Sequence, residues 1–330
     1  MPSSASIGST SSSPPPSSRW RAGARRSRPA RGGCSRRPGK GPPRSGRPRG
    51  EAAPRPLVRV AVLGSGSGGN SVLVWAGDTR LLVDAGFSAR SLAERLDLLG
   101  VDPGEIDAIV VTHNHRDHTR GMGVFARRHS TPVHMTEGTR RACADLLTGD
   151  EEVVLYGPGR PFRIGELRVH PFLTIHDAAD PAGVAVVHEP TGLRVGIATD
   201  LGRPTAQTRH ALAACDMLVL EANHDEVLLQ MGPYPSSVKR RIASSHGHLS
   251  NQAAARLATE LLHPGLAAVV LAHLSEECNR PALAESVVGD ALRRAGWTGH
   301  IEVARQGRPT RLLDLEELRY RMGPTQLSLL

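Results

Sequence analysis

Residues 113–118 read His-Asn-His-Arg-Asp-His and follow directly on the apolar run Asp107-Ala-Ile-Val-Val-Thr112. Three imidazoles and a carboxylate thus fall within six positions, where a buried strand should give way to a loop. In an extended segment His113 and His115 project to the same side, so one metal ion can take both. Asp117 and His118 sit on the turn beyond, placed for a second ion a few ångströms away. Imidazole nitrogen mixed with carboxylate oxygen suits zinc, and also manganese or iron(II). The plain alternative is a solvated His-rich loop, which gives no reason for this spacing behind a buried strand.

The run resembles the H-x-H-x-D-H signature of the metallo-β-lactamase superfamily. That resemblance implies an α/β fold, a four-layer αββα sandwich with a metal site along one edge, and further ligands downstream. His176 in Phe172-Leu-Thr-Ile-His-Asp177 matches the third ligand of the first metal. Asp200 in Val195-Gly-Ile-Ala-Thr-Asp200 matches the bridging carboxylate, and His273 in Ala268-Val-Val-Leu-Ala-His273 the last histidine. Asp84 in Leu81-Leu-Val-Asp-Ala-Gly86 matches the strand-end aspartate that orients a ligand histidine from behind. Taken singly, each could be an ordinary loop residue; together they occur in the family's order. The implied assignment is His113, His115 and His176 on metal one, Asp117, His118 and His273 on metal two, with Asp200 bridging. The implied cofactors are two divalent ions, zinc first and manganese as the alternative.

The elements that must position these residues begin near Leu57. Val58–Leu63, Ser71–Trp75 and Arg80–Asp84 read as strands separated by Gly turns, and Ala89–Leu99 as a helix closed by Gly100. Strand Ala108–Thr112 delivers the His-rich loop. Strands follow at 167–175, 183–188, 193–199, 216–221 and 266–272, and helices at 204–214, 224–231, 250–262 and 281–295. No internal repeat is obvious. Strand groups with helices outside them fit a layered α/β sandwich better than a doubly wound sheet.

Charge is unevenly spread along the 330 residues. Of 41 Lys+Arg and 32 Asp+Glu, residues 1–55 hold 13 and one, which leaves 28 and 31 for the remainder. The high pI therefore belongs to the N-terminal segment, and the globular part is not a basic nucleic-acid binder by composition. Residues 1–55, rich in Ser, Pro, Gly and Arg, read as a disordered tail, 56–318 as the catalytic domain and 319–330 as a short C-terminal tail. The basic tail has no apolar stretch of a secretory signal. It has the composition of a transit peptide, of an unstructured extension or upstream start, or of a nucleic-acid tether. No segment approaches the roughly 20 apolar residues of a membrane span. Four scattered cysteines without a C-x-x-C pair suit a reducing, cytoplasmic setting.

Four further stretches bear on the substrate. Ser65-Gly-Ser-Gly-Gly-Asn-Ser71 could bring Ser65, Ser67 and Asn70 to an oxyanion, or be only a Gly-rich turn. In Ser245-His-Gly-His-Leu-Ser-Asn251, Ser250 or Asn251 caps the next helix and His248 lies beside its positive end. This stretch looks like the Gly-His-x-Ser motif of β-CASP nucleases, and His248 becomes a phosphate ligand or general acid; His246 is the weaker candidate. Glu221-Ala-Asn-His-Asp225 could send Asn223, His224 and Asp225 towards the metals. Lys239-Arg-Arg241 could meet a phosphate backbone or be a solvated face. Leu274-Ser-Glu-Glu-Cys-Asn-Arg-Pro281 completes a close resemblance, over roughly 58–318, to the YycJ/WalJ-type branch. Cys278 stands where that branch shows Asn.

That branch implies a cytoplasmic, metal-dependent 5′-to-3′ DNA exonuclease. Its mechanism would be attack on phosphorus by a hydroxide held between two ions, with Asp117 orienting the nucleophile and His248 acting as acid. DNA is the implied substrate, and no membrane is involved. The nearest alternative is a small-molecule, cyclic phosphodiesterase on the same dinuclear site. A lactamase or thioesterase lacks a visible acyl pocket, and a non-catalytic nucleic-acid-binding or regulatory domain would have no use for a full ligand set.

Overall fold

The computed structural model describes residues 58–323. Along the first half run β1 (Val58–Gly64), β2 (Ser71–Ala76), β3 (Thr79–Val83), α1 (Ala89–Asp97), β4 (Ala108–Val110), α2 (Arg116–Thr119), α3 (Met122–His129), β5 (Val133–Met135), α4 (Glu137–Ala142) and β6 (Val153–Leu155). The second half holds β7 (Phe162–Ile164), β8 (Leu167–Leu173), β9 (Ala182–His188), β10 (Arg194–Ala198), α5 (Ala206–Leu212), β11 (Met217–Glu221), α6 (Glu226–Met231) and α7 (Ser236–Ile242). It closes with α8 (Asn251–Glu260), β12 (Ala268–Ala272), α9 (Pro281–Arg294), β13 (His300–Val303), β14 (Leu313–Asp314) and α10 (Leu315–Arg321).

The strands form two seven-stranded sheets, in the orders β14-β1-β2-β3-β4-β5-β6 and β13-β12-β11-β10-β9-β8-β7. Four strands of each sheet pair antiparallel, β14-β1-β2-β3 in one and β7-β8-β9-β10 in the other, and three more are added parallel, β4-β5-β6 and β11-β12-β13. The halves thus repeat one topology, a repeat that the sequence does not display. Alternate residues of the long strands face each other across the middle. Val60, Val62, Val72, Val74, Leu81 and Val83 of one sheet meet Val169, Val184, Val186, Val195, Val219 and Val270 of the other. The outer face of the first sheet is covered by α1 and α3 through Leu92, Leu96, Met122 and Phe125. That of the second is covered by α5, α8 and α9 through Leu212, Leu257, Val288 and Leu292. This is the expected four-layer αββα sandwich.

The expected strands and helices are present, with ends shifted by at most two residues. Several short elements escape sequence reading. β5, β6 and β7 have three residues each, too few to show an alternation. α7 buries no residue, so it has no apolar stripe to read. At the expected C-terminal boundary, α10 crosses position 318, and Arg319 forms an ion pair with Asp216 at 3.0 Å. The expected basic tail, residues 1–55, lies outside the described residues.

Three loops at the carboxyl ends of the first sheet's strands are tied directly to one another. Asn70 N donates to Asp117 O at 2.7 Å, Gly86 N to Asn70 O at 2.9 Å, and Ala85 N to His118 O at 2.8 Å. A Cβ at Gly86 would lie 1.6 Å from Asp117 O, so only glycine permits this approach. We expect Gly86→Ala to destabilise the protein by about 3 kcal/mol or more, at or beyond the upper end of overpacking costs. Urea unfolding checks this; a loss below about 1 kcal/mol would show that the loops can separate without penalty.

Candidate metal centre

The site lies where strands of both sheets end. Asp84 follows β3 and the His-rich loop follows β4; Asp200 follows β10, Glu221 ends β11 and His273 follows β12. His176 comes from the loop after β8. In open α/β sheets ligands bind beyond the carboxyl ends of the strands, and here two such edges face one another. Asp84, Asp200 and His273 all have left-handed backbone, with φ of 64°, 57° and 55°. Non-glycine residues adopt this conformation at a cost, and at three places in one site the cost turns a side chain back over the strand ends.

All seven expected ligands converge. His115 Nδ1 lies 3.3 Å from His176 Nε2, and His176 Nε2 is 3.6 Å from Asp200 Oδ1. His113, His115 and His176 form one set of donors within mutual reach, and Asp117, His118 and His273 another. In the second set His118 Nε2 is 3.3 Å from Asp117 Oδ2 and 3.1 Å from Asp200 Oδ2, and His273 Nε2 is 3.4 Å from Asp117 Oδ2. Tetrahedral ligands bound at about 2.0–2.1 Å stand roughly 3.3–3.4 Å apart, so these separations suit donors around a shared ion. His113 Nε2 is buried and has no hydrogen-bond partner, a state that a cation would relieve. The donors therefore fit two divalent ions.

The nitrogens turned away from the cluster are anchored. His113 Nδ1 faces Thr112 Oγ1 at 3.0 Å, His176 Nδ1 faces Gly247 O at 3.0 Å, and His118 Nδ1 faces Asp84 Oδ2 at 2.8 Å. Asp84 also accepts from Thr112 N and Oγ1, so it fixes the strand end as well as the ring. Such contacts set tautomer and ring orientation.

Glu221 is the anchor that sequence reading missed. It has no exposed surface, and its Oε1 meets both His248 Nδ1 at 2.8 Å and His273 Nδ1 at 2.9 Å. Its Oε2 accepts from Leu201 N at 2.8 Å and Leu249 N at 3.0 Å. The available signal was an acidic residue ending an otherwise apolar strand, Met217-Leu-Val-Leu-Glu221.

Charge follows from this packing. Burial alone would raise the Glu221 carboxyl, but His248 and His273 bring it down to about 2. Burial and the neighbouring His118 hold His113 well below the usual imidazole range, which keeps its nitrogen a free donor. Burial also works against charge on His118 and His273, yet Asp200 and the other carboxylates lift both, His273 to about 10. The carboxylates thus demand positive charge, which two dications meet while leaving the rings neutral.

The expected substrate contacts divide. Ser67, Asn223, His246 and His248 line a cavity of about 220 Å³ over the cluster, together with Tyr234 and Arg241. Ser65 is buried behind it, where its Oγ donates to Asn70 Oδ1 and accepts from His273 N, both at 2.7 Å. Asn70 points Nδ2 at Asp117 Oδ2 over 3.0 Å. Ser250 caps α8 and donates to Glu226, and Asn251 is paired with Asn279 in the interior. Asp225 caps α6, and His224 lies beneath a neighbouring recess. Ser65, Asn70 and Asn251 thus hold the loops that carry the site, and Ser250 both caps α8 and lines that neighbouring recess. Cys278 is fully buried, with its N–H on Ser275 Oγ, and a small apolar side chain suits that position. Of the three basic residues, Arg241 pairs with Asp177 at 2.9 Å on the cavity wall, and Lys239 donates to Gln230 O at 2.6 Å.

Residues 79–274 match the model of the β-lactamase superfamily domain, and the chain belongs to that superfamily as a metal-dependent hydrolase. Within it, the chain is 33% identical to exodeoxyribonuclease YycJ of Bacillus anthracis, across 73% of this chain and 91% of that protein. It is 30% identical to exodeoxyribonuclease WalJ of Streptococcus pneumoniae, across 72% and 89%. Among solved structures, the metallo-β-lactamase fold protein YhfI from Bacillus subtilis superposes with a TM-score of 0.60 at 19% identity, covering 77% of this chain and 99% of that one.

Glutamine at 221 would present an NH₂ either to two ring nitrogens or to two backbone N–H groups, and neither is tolerated. We expect Glu221→Gln to fold but to hold metal about 10–100-fold more weakly. Metal analysis during chelator competition checks this, and unchanged retention would show that Glu221 does not orient His273.

Proposed function

We propose that the protein is a two-metal phosphodiesterase, and that its substrate is DNA degraded from the 5′ end. The observation that carries the reading is the placing of His248. Its Nδ1 is fixed by Glu221 and its Nε2 makes no hydrogen bond among the described residues, while His248 lines the cavity over the cluster. A clamped imidazole with one free nitrogen beside a dinuclear site is suited to proton transfer. The names of the YycJ and WalJ relatives support DNA as the substrate.

His113, His115 and His176 would hold one ion and Asp117, His118 and His273 the other, with Asp200 between them. When bound, the ions supply a water of lowered pKa and neutralise the charge that grows on the phosphate. Asp117 is partly exposed, unlike His118 and His273 beside it, and can orient the attacking water. His248 gives its Nε2 proton to the leaving oxygen, and Glu221 against Nδ1 keeps the ring aimed. Ser67, Asn223 and Arg241 can meet phosphate oxygens at the rim. The ligand set accepts zinc and manganese; we propose zinc as the resident ion. The described cysteines Cys143, Cys215 and Cys278 are unpaired and buried, which supports a reducing, cytoplasmic location. Among the described residues no helix is long and apolar enough to cross a membrane.

A small cyclic phosphodiester is the second reading. The cavity of about 220 Å³ is below the roughly 300–1,000 Å³ of sites that enclose a drug-sized ligand, which favours a polymer that dips one linkage into the site.

The test is full-length protein loaded with zinc or manganese and given 5′-labelled duplex DNA and, separately, bis(p-nitrophenyl) phosphate. Labelled mononucleotide release is expected. Asp200→Ala should lose metal and activity together. His248→Ala should keep its metal and lose roughly 10²–10⁴-fold in DNA turnover. Turnover of the small diester alone would move the substrate to small phosphodiesters, and full activity of His248→Ala would remove it from the reaction.

A further inference from the structure

His248 stands between two cavities. Besides the metal cavity, its ring lines a recess of about 520 Å³ between α6 and α8, bounded by Glu226, Gln230, Ala253, Arg256 and the buried His224. The volume is that of a pocket for one small-molecule-sized group. Ser250, Ala253 and Arg256 are three residues apart in turn, so they present one face of α8 to the recess. Arg256 lies about 9 Å along the helix axis from Ser250. It is exposed and has no ion-pair partner among the described residues. Glu226 sits near the Ser250 end, tied to Ser250 Oγ at 2.8 Å, which leaves the cationic end of the recess away from the metals. His224 Nδ1 is buried beneath the recess with no hydrogen-bond partner.

We infer that this recess receives the nucleotide that leaves, and that Arg256 binds its terminal 5′-phosphate. The inference rests on the phosphodiesterase reading above. An acid that protonates the leaving oxygen must have the leaving group on its own side, and the recess is the space beside His248 away from the cluster. Water oxygen forms the new bond to phosphorus, the P–O3′ bond breaks, and O3′ takes the proton from His248 Nε2. The proton released by the attacking water restores the ring. The products are one 5′-nucleotide with a free 3′-hydroxyl and a strand shortened by one residue. That strand again ends in a 5′-phosphate, so each product end is a fresh substrate end. A recess with room for one nucleotide on the leaving side sets attack at the 5′ terminus and mononucleotides as products. Arg241 and the exposed face of α7 remain for the retained strand.

The experiment compares 3′-labelled oligonucleotides that carry a 5′-phosphate or a 5′-hydroxyl, using full-length metal-loaded protein. The phosphorylated end should be degraded at least about 10-fold faster in kcat/KM, a step typical of one charge-assisted contact. In Arg256→Ala that ratio should fall towards one, chiefly through KM, and Arg256→Lys should restore part of it. Binding of thymidine 5′-monophosphate, followed by calorimetry, should weaken about 10-fold in Arg256→Ala, while thymidine binding should not change. An unaltered end preference and unaltered nucleotide binding in Arg256→Ala would overturn the subsite while leaving the phosphodiesterase reading intact. Degradation from the 3′ end would overturn it too. Failure of the wild-type protein to cleave either DNA or bis(p-nitrophenyl) phosphate would remove the parent reading and this inference together.

Discussion

A carboxylate with no exposed surface needs a full complement of donors, and Glu221 obtains four N–H groups at the end of β11. Desolvation of the charge would be prohibitive without them. Two come from the backbone of the loops after β10 and before α8, which fixes those loops to the strand. Two come from imidazoles, which fixes the candidate acid His248 and the candidate ligand His273 relative to each other. One buried charge thereby sets the spacing between the chemistry and the ions.

Asp84 does the same work in the other sheet, where it joins Thr112 and His118. The two anchors differ in what they hold. Asp84 orients one ligand and the start of the His-rich loop, so its influence stays within the first half. Glu221 reaches both a ligand and a residue outside the ligand set. The left-handed backbone at Asp84, Asp200 and His273 shows that the chain accepts local strain to bring these side chains over the sheet edges.

Much of this was legible in the sequence, because strand ends are marked by polar residues after apolar runs. His113 to His118, His176, Asp200 and His273 could be placed in order from that signal and the family resemblance, and the geometry brings them together. The roles of Ser65, Asn70, Ser250 and Asn251 were not legible. A hydroxyl or carboxamide in a Gly-rich or cap-forming loop looks the same whether it faces a ligand or a neighbouring loop; only the fold distinguishes these cases. Glu221 was hidden for the opposite reason, since it belongs to an apolar strand and its partners lie 20 to 52 residues away. The short edge strands and α7 have too few residues or too little burial to leave a periodic trace.

The two sheets repeat one topology, and each half of the chain contributes donors to both candidate metal seats. Neither half contains a complete seat. His113 and His115 need His176, and Asp117 and His118 need His273, which follows the twelfth of fourteen strands. During synthesis, a chain that has reached only β6 carries His113, His115 and His118 but neither His176 nor His273. The candidate centre is therefore completed late, as a consequence of assembly.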